Sequence, residues 1–329
     1  MKTRILAAAD LAPLTRISNL RAAASVLQTW LTIAATLSVA LVFWSWPVVL
    51  VTIVIIGIQQ HALFILSHEA THFRMFDNRR INELIGRTCA TAAGLSMCTY
   101  RVLHRLHHSH LYGPQDPDMA LHGGYPRGKW YLAGKLLKDL SGLTAIKTYG
   151  YFFGNPAADS TSGKLQTPLA DATPSLRTAA RNDQKVVIAV HVLLPLLMLA
   201  LGGWNALGMY LLLWVVPAFT VLQAILRLRA ICEHGAVEDV SSPFTAARTH
   251  PSRFEPAQLL ARLTLFPHHV NYHVEHHAYP AVPHYRLPQL HALLARRGLL
   301  VPGKSGAIRD TLRKIFASRE VAVETNPAR

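Results

Sequence analysis

Two stretches carry no Lys, Arg, Asp or Glu: Ala22 to His68, 47 residues, and Val186 to Leu226, 41 residues. A bilayer-spanning helix needs about 20 apolar residues, so each stretch has the length of two spans joined by a tight turn. Turn chemistry sits where such a joint belongs, at Trp44-Ser45-Trp46-Pro47 and at Gly202-Gly203-Trp204-Asn205. Tryptophan at both turns suits the aromatic belt of a membrane interface. A pair of buried soluble helices would need no charge-free run of this length. The expected fold is therefore all-α and integral to a membrane, with four transmembrane helices in two hairpins and a helical cap.

Charge gives the expected orientation. Four of the 33 Lys and Arg lie in residues 1–21, fifteen in 69–185 and fourteen in 227–329, so neither hairpin turn carries any. The positive-inside rule puts both termini and the middle segment in the cytosol, in a bacterium at the inner membrane. The start lacks a signal-peptide core, so hairpin 1 is expected to target the chain. The formal charge of +15 is accounted for by this topology and by contact with anionic head groups. No nucleic-acid motif accompanies it, and nucleic acid is not an expected partner. Cys89, Cys98 and Cys232 lack metal-type spacing and are expected to be free thiols.

The chain divides into a lead-in (1–21), hairpin 1 (22–68), a middle segment (69–185), hairpin 2 (186–226) and a C-terminal segment (227–329). Gln59, Gln60 and His61 fall inside the second span, where polar groups either line a substrate channel or pack in a hydrogen-bonded interior. Residues 84–100 read as one re-entrant or surface helix, 126–152 as a helix lying on the membrane, 155–184 as a flexible linker, and the chain from Ser318 as a frayed tail.

Eighteen histidines are present, and eight of them form three clusters. His104, His107 and His108 make H-x-x-H-H, and His273, His276 and His277 repeat it. His68-Glu69-Ala70-Thr71-His72 places two more at i and i+4. On a helix these spacings share one face. Neutral imidazole is the commonest metal ligand, and eight are too many for one ion, so the count implies a dinuclear site. The first cluster also spells H-E-x-x-H, the zinc-protease motif. A zinc intramembrane protease would leave both H-x-x-H-H boxes unexplained, and a metal transporter would need ligands deep in the spans. A nitrogen-rich cage at a membrane face suits a pair of irons that activate O2. Glu69, Asp116, Asp118, Glu233 and Glu275 either hold ligand N–H groups or serve as solvated charges and caps. Asn271 is a candidate for holding a metal-bound water, and His110, His268 and His269 adjoin the boxes.

These boxes, each after a hydrophobic hairpin or its extension, with Asp116-Pro117-Asp118 after the second and Pro280-x-x-Pro283 after the third, resemble the membrane fatty-acid desaturase superfamily over roughly 45–292. The short first box is more similar to acyl-lipid desaturases and carotenoid ketolases than to acyl-CoA desaturases. The resemblance implies two iron ions on the cytosolic side of four transmembrane helices, using O2 and two electrons to attack an unactivated C–H bond. It also implies a ninth histidine, for which His234 in Glu233-His234 is the match. The expected activity is desaturation of a fatty-acyl chain of a lipid, with hydroxylation or ketolation of an alkyl, carotenoid or other apolar metabolite as the alternative. No haem or iron–sulfur domain is evident, so a separate electron donor such as a ferredoxin or rubredoxin is expected.

Overall fold

The computed structural model describes residues 6–155, 157–158, 165–166, 169–170, 172–237, 239–251 and 256–317. The frayed tail expected from Ser318, and part of the linker expected over 155–184, lie outside the described residues. Helix α1 (Ala8–Thr15) leads into α2 (Asn19–Val42) and α3 (Trp46–Thr71), with Pro47 in the first turn of α3. There follow α4 (Arg79–Ala92), α5 (Met97–His110), α6 (Met119–His122), α7 (Lys129–Leu140) and α8 (Ala145–Phe152). Two-residue strands β1 (Ala157–Ala158) and β2 (Leu165–Gln166) pair antiparallel. Helix α9 (Pro174–Tyr210) continues through a π turn (Leu211–Val215) into α10 (Val216–Phe219) and α11 (Val221–His234). The C-terminal part holds α12 (Pro256–Thr264), α13 (His273–Ala278), α14 (Leu287–Arg296) and α15 (Ile308–Phe316).

Three helical runs among the described residues are long and apolar enough to cross a membrane: Asn19–Val42, Trp46–Thr71 and Pro174–His234. Their apolar windows are buried to 17%, 56% and 6%. The first and third thus turn their apolar side chains outward, which suits lipid and not water. The middle one is enclosed. From Gln60 to Thr71 every residue of α3 is buried, polar Gln60, His61, Ser67, His68, Glu69 and Thr71 included, where α2, α4, α5 and α11 pack on this helix. Two glycines permit the closest approaches. A Cβ on Gly57 would meet Val221 at 2.6 Å, and one on Gly86 would meet the Ala70 Cβ at 2.3 Å.

Two sequence expectations change. The stretch 84–100 is the end of α4 and the start of α5, broken at Gly94, whose φ of 80° ends α4. Ser96 caps the new helix by accepting from Thr99 N at 3.2 Å. The second half of the expected linker is helical: α9 begins at Pro174, twelve residues before the charge-free run. Its first turns dock through buried Asp183, which accepts from Cys98 N at 2.8 Å and pairs with Arg87. Composition concealed this because the residues that make the turns helical are polar and pair with other elements. Further along α9, Gly203 leaves helical geometry (φ 64°, ψ −162°) within the expected Gly202–Asn205 turn. The three cysteines are free and buried.

Candidate metal centre

The C-terminal ends of α3, α5 and α11, together with the short helix α13, carry histidines to one place, and the three ends are fixed locally. Helix α3 stops at Thr71, where Arg101 donates to the Thr71 and Ala70 carbonyls at 3.3 and 3.4 Å. Phe73, in the left-handed region at φ 57°, lies between the guanidinium groups of Arg79 and Arg101, at 3.8 and 4.4 Å from its ring centre. Tyr112 (φ 61°) follows α5 and Ala236 (φ 53°) follows α11. A non-glycine residue in this region costs about 1 kcal/mol or more. It is tolerated here because the chain must reverse directly after each histidine-bearing helix.

All nine histidines singled out in the sequence converge, in two groups. His68, His72, His104, His108 and His276 offer nitrogens within 4.8 Å of one another, and His107, His234, His273 and His277 do likewise. In the first group His104 Nε2 lies 2.9 Å from His72 Nε2 and 2.9 Å from His108 Nε2, which is 3.1 Å from His276 Nε2. In the second, His234 Nε2 lies 2.8 Å from His273 Nε2 and 3.3 Å from His107 Nε2, and His277 Nε2 lies 3.1 Å from His273 Nε2. Two nitrogens at right angles on one metal, with bonds of about 2.1 Å, would stand about 3.0 Å apart.

The hydrogen bonds of the far ring nitrogens test whether a metal fits. His107 Nδ1 lies 2.9 Å from Asp116 Oδ1, and His234 Nδ1 lies 3.1 Å from the Ala246 carbonyl. A carboxylate and a carbonyl only accept, so both Nδ1 atoms carry protons. In the neutral rings the two Nε2 lone pairs then face each other, an arrangement that requires a positive charge between them. A proton would serve two of these nitrogens. Four converging on one point fit a metal ion.

Electrostatics favour the same state. Burial and the neighbouring imidazoles hold His104, His108, His273, His276 and His277 well below the ordinary histidine range. Burial pushes His72 down to about 3. His107 is the exception: burial lowers it, but Asp116 and Asp118 outweigh burial and raise it. Asp116 is held well below the carboxylate range by His107 and His122, against the effect of burial. It also accepts from Tyr112 N at 2.9 Å and Asp118 N at 3.0 Å, which folds the Gly113–Asp118 loop around it.

The other singled-out residues separate. Asp118 accepts from Tyr151 at 2.6 Å and lies 3.6 Å from His107 Nδ1. Glu69 lies 3.5 Å from His68 Nδ1 and accepts from His284 N at 3.0 Å. Glu233 accepts from Arg229 at 2.8 Å and lies 3.5 Å from His273 Nε2. Glu275 instead accepts from Thr249 and His291, at 2.5 and 2.6 Å. Asn271 donates to the His250 carbonyl at 2.6 Å and accepts on its own carbonyl from His250 N at 2.8 Å, pinning two loops. Of the histidines beside the boxes, His110 is exposed and His268 pairs with Thr29 at 3.0 Å. His122 and His284 were not singled out, yet both are buried. His122 forms a third close group with His107 and Asp116, and His284 lies against Glu69. Neither has box spacing; the only signal for His122 was its place four residues after Asp118.

A cavity of about 620 Å³ reaches both histidine groups, lined by His104 of the first, by His107, His234 and His273 of the second, and by Phe64, Tyr100, Phe152 and Leu226. Gln59, Gln60 and His61 are not among its lining residues. Gln60 is used elsewhere: it donates to the Trp214 carbonyl at 2.8 Å, inside the π turn, where a backbone acceptor is left over. His61 is buried.

The chain aligns at 24% identity over 286 residues, 83% of its length and 74% of the relative's, with the dihydrorhizobitoxine desaturase of Bradyrhizobium elkanii. It aligns at 25% identity over 243 residues, 70% of its length, with the chloroplastic omega-3 fatty acid desaturase of Glycine max, of which it spans about half (51%). The fatty acid desaturase family pattern matches residues 43–302, from the start of α3 through all three boxes to past α14. With most of its length so matched, this chain is a member of the fatty acid desaturase family.

Proposed function

We propose that the protein is a membrane-bound di-iron oxidoreductase that desaturates an apolar chain. The observation that carries the reading is the division of nine imidazoles, seven of them buried and His72 and His108 half-buried, into a five-histidine and a four-histidine group that both reach one cavity. In this reading His68, His72, His104, His108 and His276 hold one iron, and His107, His234, His273 and His277 hold the other. The bound pair supplies the O2 and redox chemistry. The balance is one O2, two electrons and two protons taken up, with two hydrogens leaving adjacent carbons to give a C=C bond and two waters.

The chain's own residues bind, orient and exclude water. Asp116 fixes the His107 tautomer and the Ala246 carbonyl fixes that of His234, so that both Nε2 lone pairs point inward. Phe64, Tyr100 and Phe152 pack their rings 4.8–5.8 Å apart against the cavity and give it a dry, rigid wall. Asp118, held by Tyr151, adds negative charge beside His107. Four transmembrane helices in two hairpins, split at Phe43–Ser45 and at Gly203, with the metal on the cytosolic side, suit the helix breaks and the distribution of Lys and Arg. Electrons would come from a separate carrier protein, such as a ferredoxin or rubredoxin, on the basic face. The test is elemental analysis of protein from iron-replete cells, joined to metabolite profiling of a host with and without the chain. Close to two irons per chain and a product two hydrogens lighter are expected. One zinc with negligible iron would refute the reading.

A further inference from the structure

Arg229 is a buried cation with donors to spare. It stands on α11 five residues before His234, is 8% exposed, and lines the cavity beside Glu233, His234 and His273. Its Nε donates to one carboxylate oxygen of Glu233 at 2.8 Å, and the other oxygen lies 3.5 Å from His273 Nε2. One carboxylate therefore separates the guanidinium from a candidate metal ligand. A guanidinium has five N–H groups, and this one uses the single donor on Nε. Its two terminal amino groups make no hydrogen bond among the described residues and are not sealed from the cavity. Arg227, on the same helix and in the same cavity, is different. It uses both Nε and a terminal nitrogen on Asp139, at 2.5 and 3.0 Å, and is bound to the protein itself.

A buried charge needs both compensation and hydrogen-bond partners. Glu233 gives Arg229 the first and only part of the second. The two terminal nitrogens of a guanidinium match the two oxygens of a planar anion. A carboxylate fits that fork with one charge, whereas a phosphate dianion would bring excess charge into a site already holding Glu233 and Asp118.

From this geometry we propose that Arg229 binds the carboxylate of the substrate, so that the molecule oxidised is a free carboxylic acid whose reacting carbons lie a few bonds from the acid group. This rests on the metal-site reading above and narrows its substrate class, away from the middle of an esterified lipid chain. Phe64, Phe152 and Leu226 supply the apolar wall for the rest of the molecule.

The test uses the full chain, iron-loaded in lipid nanodiscs, and calorimetric binding of two probes of equal shape, hexanoate and hexanamide. Hydrogen bonds to a charged partner are worth about 1.5–3 kcal/mol, so hexanoate should bind about 10- to 100-fold more tightly than the amide. Arg229→Gln should erase that preference, and Arg229→Lys should restore part of it. A brace that only holds Glu233 would not produce an acid-over-amide preference. Equal binding of the two probes by the unaltered protein overturns the proposal, as does a preference that survives in Arg229→Gln. Should that variant not fold, the comparison in the unaltered protein decides. Iron is counted in the same samples: two irons without an acid preference overturns this inference alone, whereas protein without iron overturns the metal reading beneath it.

Discussion

Replacing Asp116 with Asn should strip one iron and leave the other. Asp116 accepts from three donors: His107 Nδ1, Tyr112 N and Asp118 N, at 2.9, 2.9 and 3.0 Å. Asparagine keeps the volume but has one accepting oxygen, and its NH2 must then face a donor. His107 Nδ1 and Asp118 N share Oδ1, whereas Tyr112 N uses Oδ2. With the asparagine oxygen at the Oδ2 place the NH2 faces His107, which loses a charge-assisted hydrogen bond worth about 1.5–3 kcal/mol. The fixed tautomer goes with it. That converts to about 10- to 100-fold weaker binding of the ion held by His107, the range seen when such outer partners of a ligand are removed. The group of His68, His72, His104, His108 and His276 contains no member of the Asp116 loop. The loss should be selective. Iron per chain, measured by elemental analysis over a chelator titration, should fall to about one at chelator strengths that leave the unaltered protein at about two, because the remaining site keeps all five imidazoles. Loss of both irons together, or an unchanged titration, would refute the argument that the two groups are separate sites with Asp116 serving one.

Further outcomes are expected. His234→Ala should also remove one iron and abolish turnover, whereas His110→Ala, at an exposed position on the same helix as the second box, should leave both intact by iron analysis and product yield. Gly86→Ala should lower the melting temperature although alanine favours helix, because a Cβ there meets Ala70 and overpacking costs about 1–3 kcal/mol. Ala70 lies between His68 and His72, so iron binding should loosen as well. Epitope tags at residue 1, near residue 160 and at residue 329 should all be reached by a protease on the cytosolic side; protection of any one of them would contradict two hairpins.

The sequence by itself determined the chemistry available and the kind of scaffold. Absence of charge from 22–68 and 186–226 calls for apolar surroundings whatever the packing, and the helices found there break close to the residues expected, although α9 begins twelve residues early. Box spacing likewise forces histidines onto one side of a helix. Which group each joins was decided only by tertiary structure. His104 and His108 go to the five-histidine group, and His107 crosses to the other; His273 and His277 go to the four-histidine group, and His276 crosses back. At 3.6 residues per turn, i and i+4 lie about 40° apart around the axis, while the i+3 side chain stands about 100° from its i+4 neighbour. Each box therefore presents a pair and a single to different partners, and the approach of α3, α5, α11 and α13 selects between them. The same holds for Asp183, His122 and Arg229. Each is an ordinary polar residue in the chain, and each takes its role from a partner 85 or more residues away or from the wall of a cavity, information that no local pattern contains.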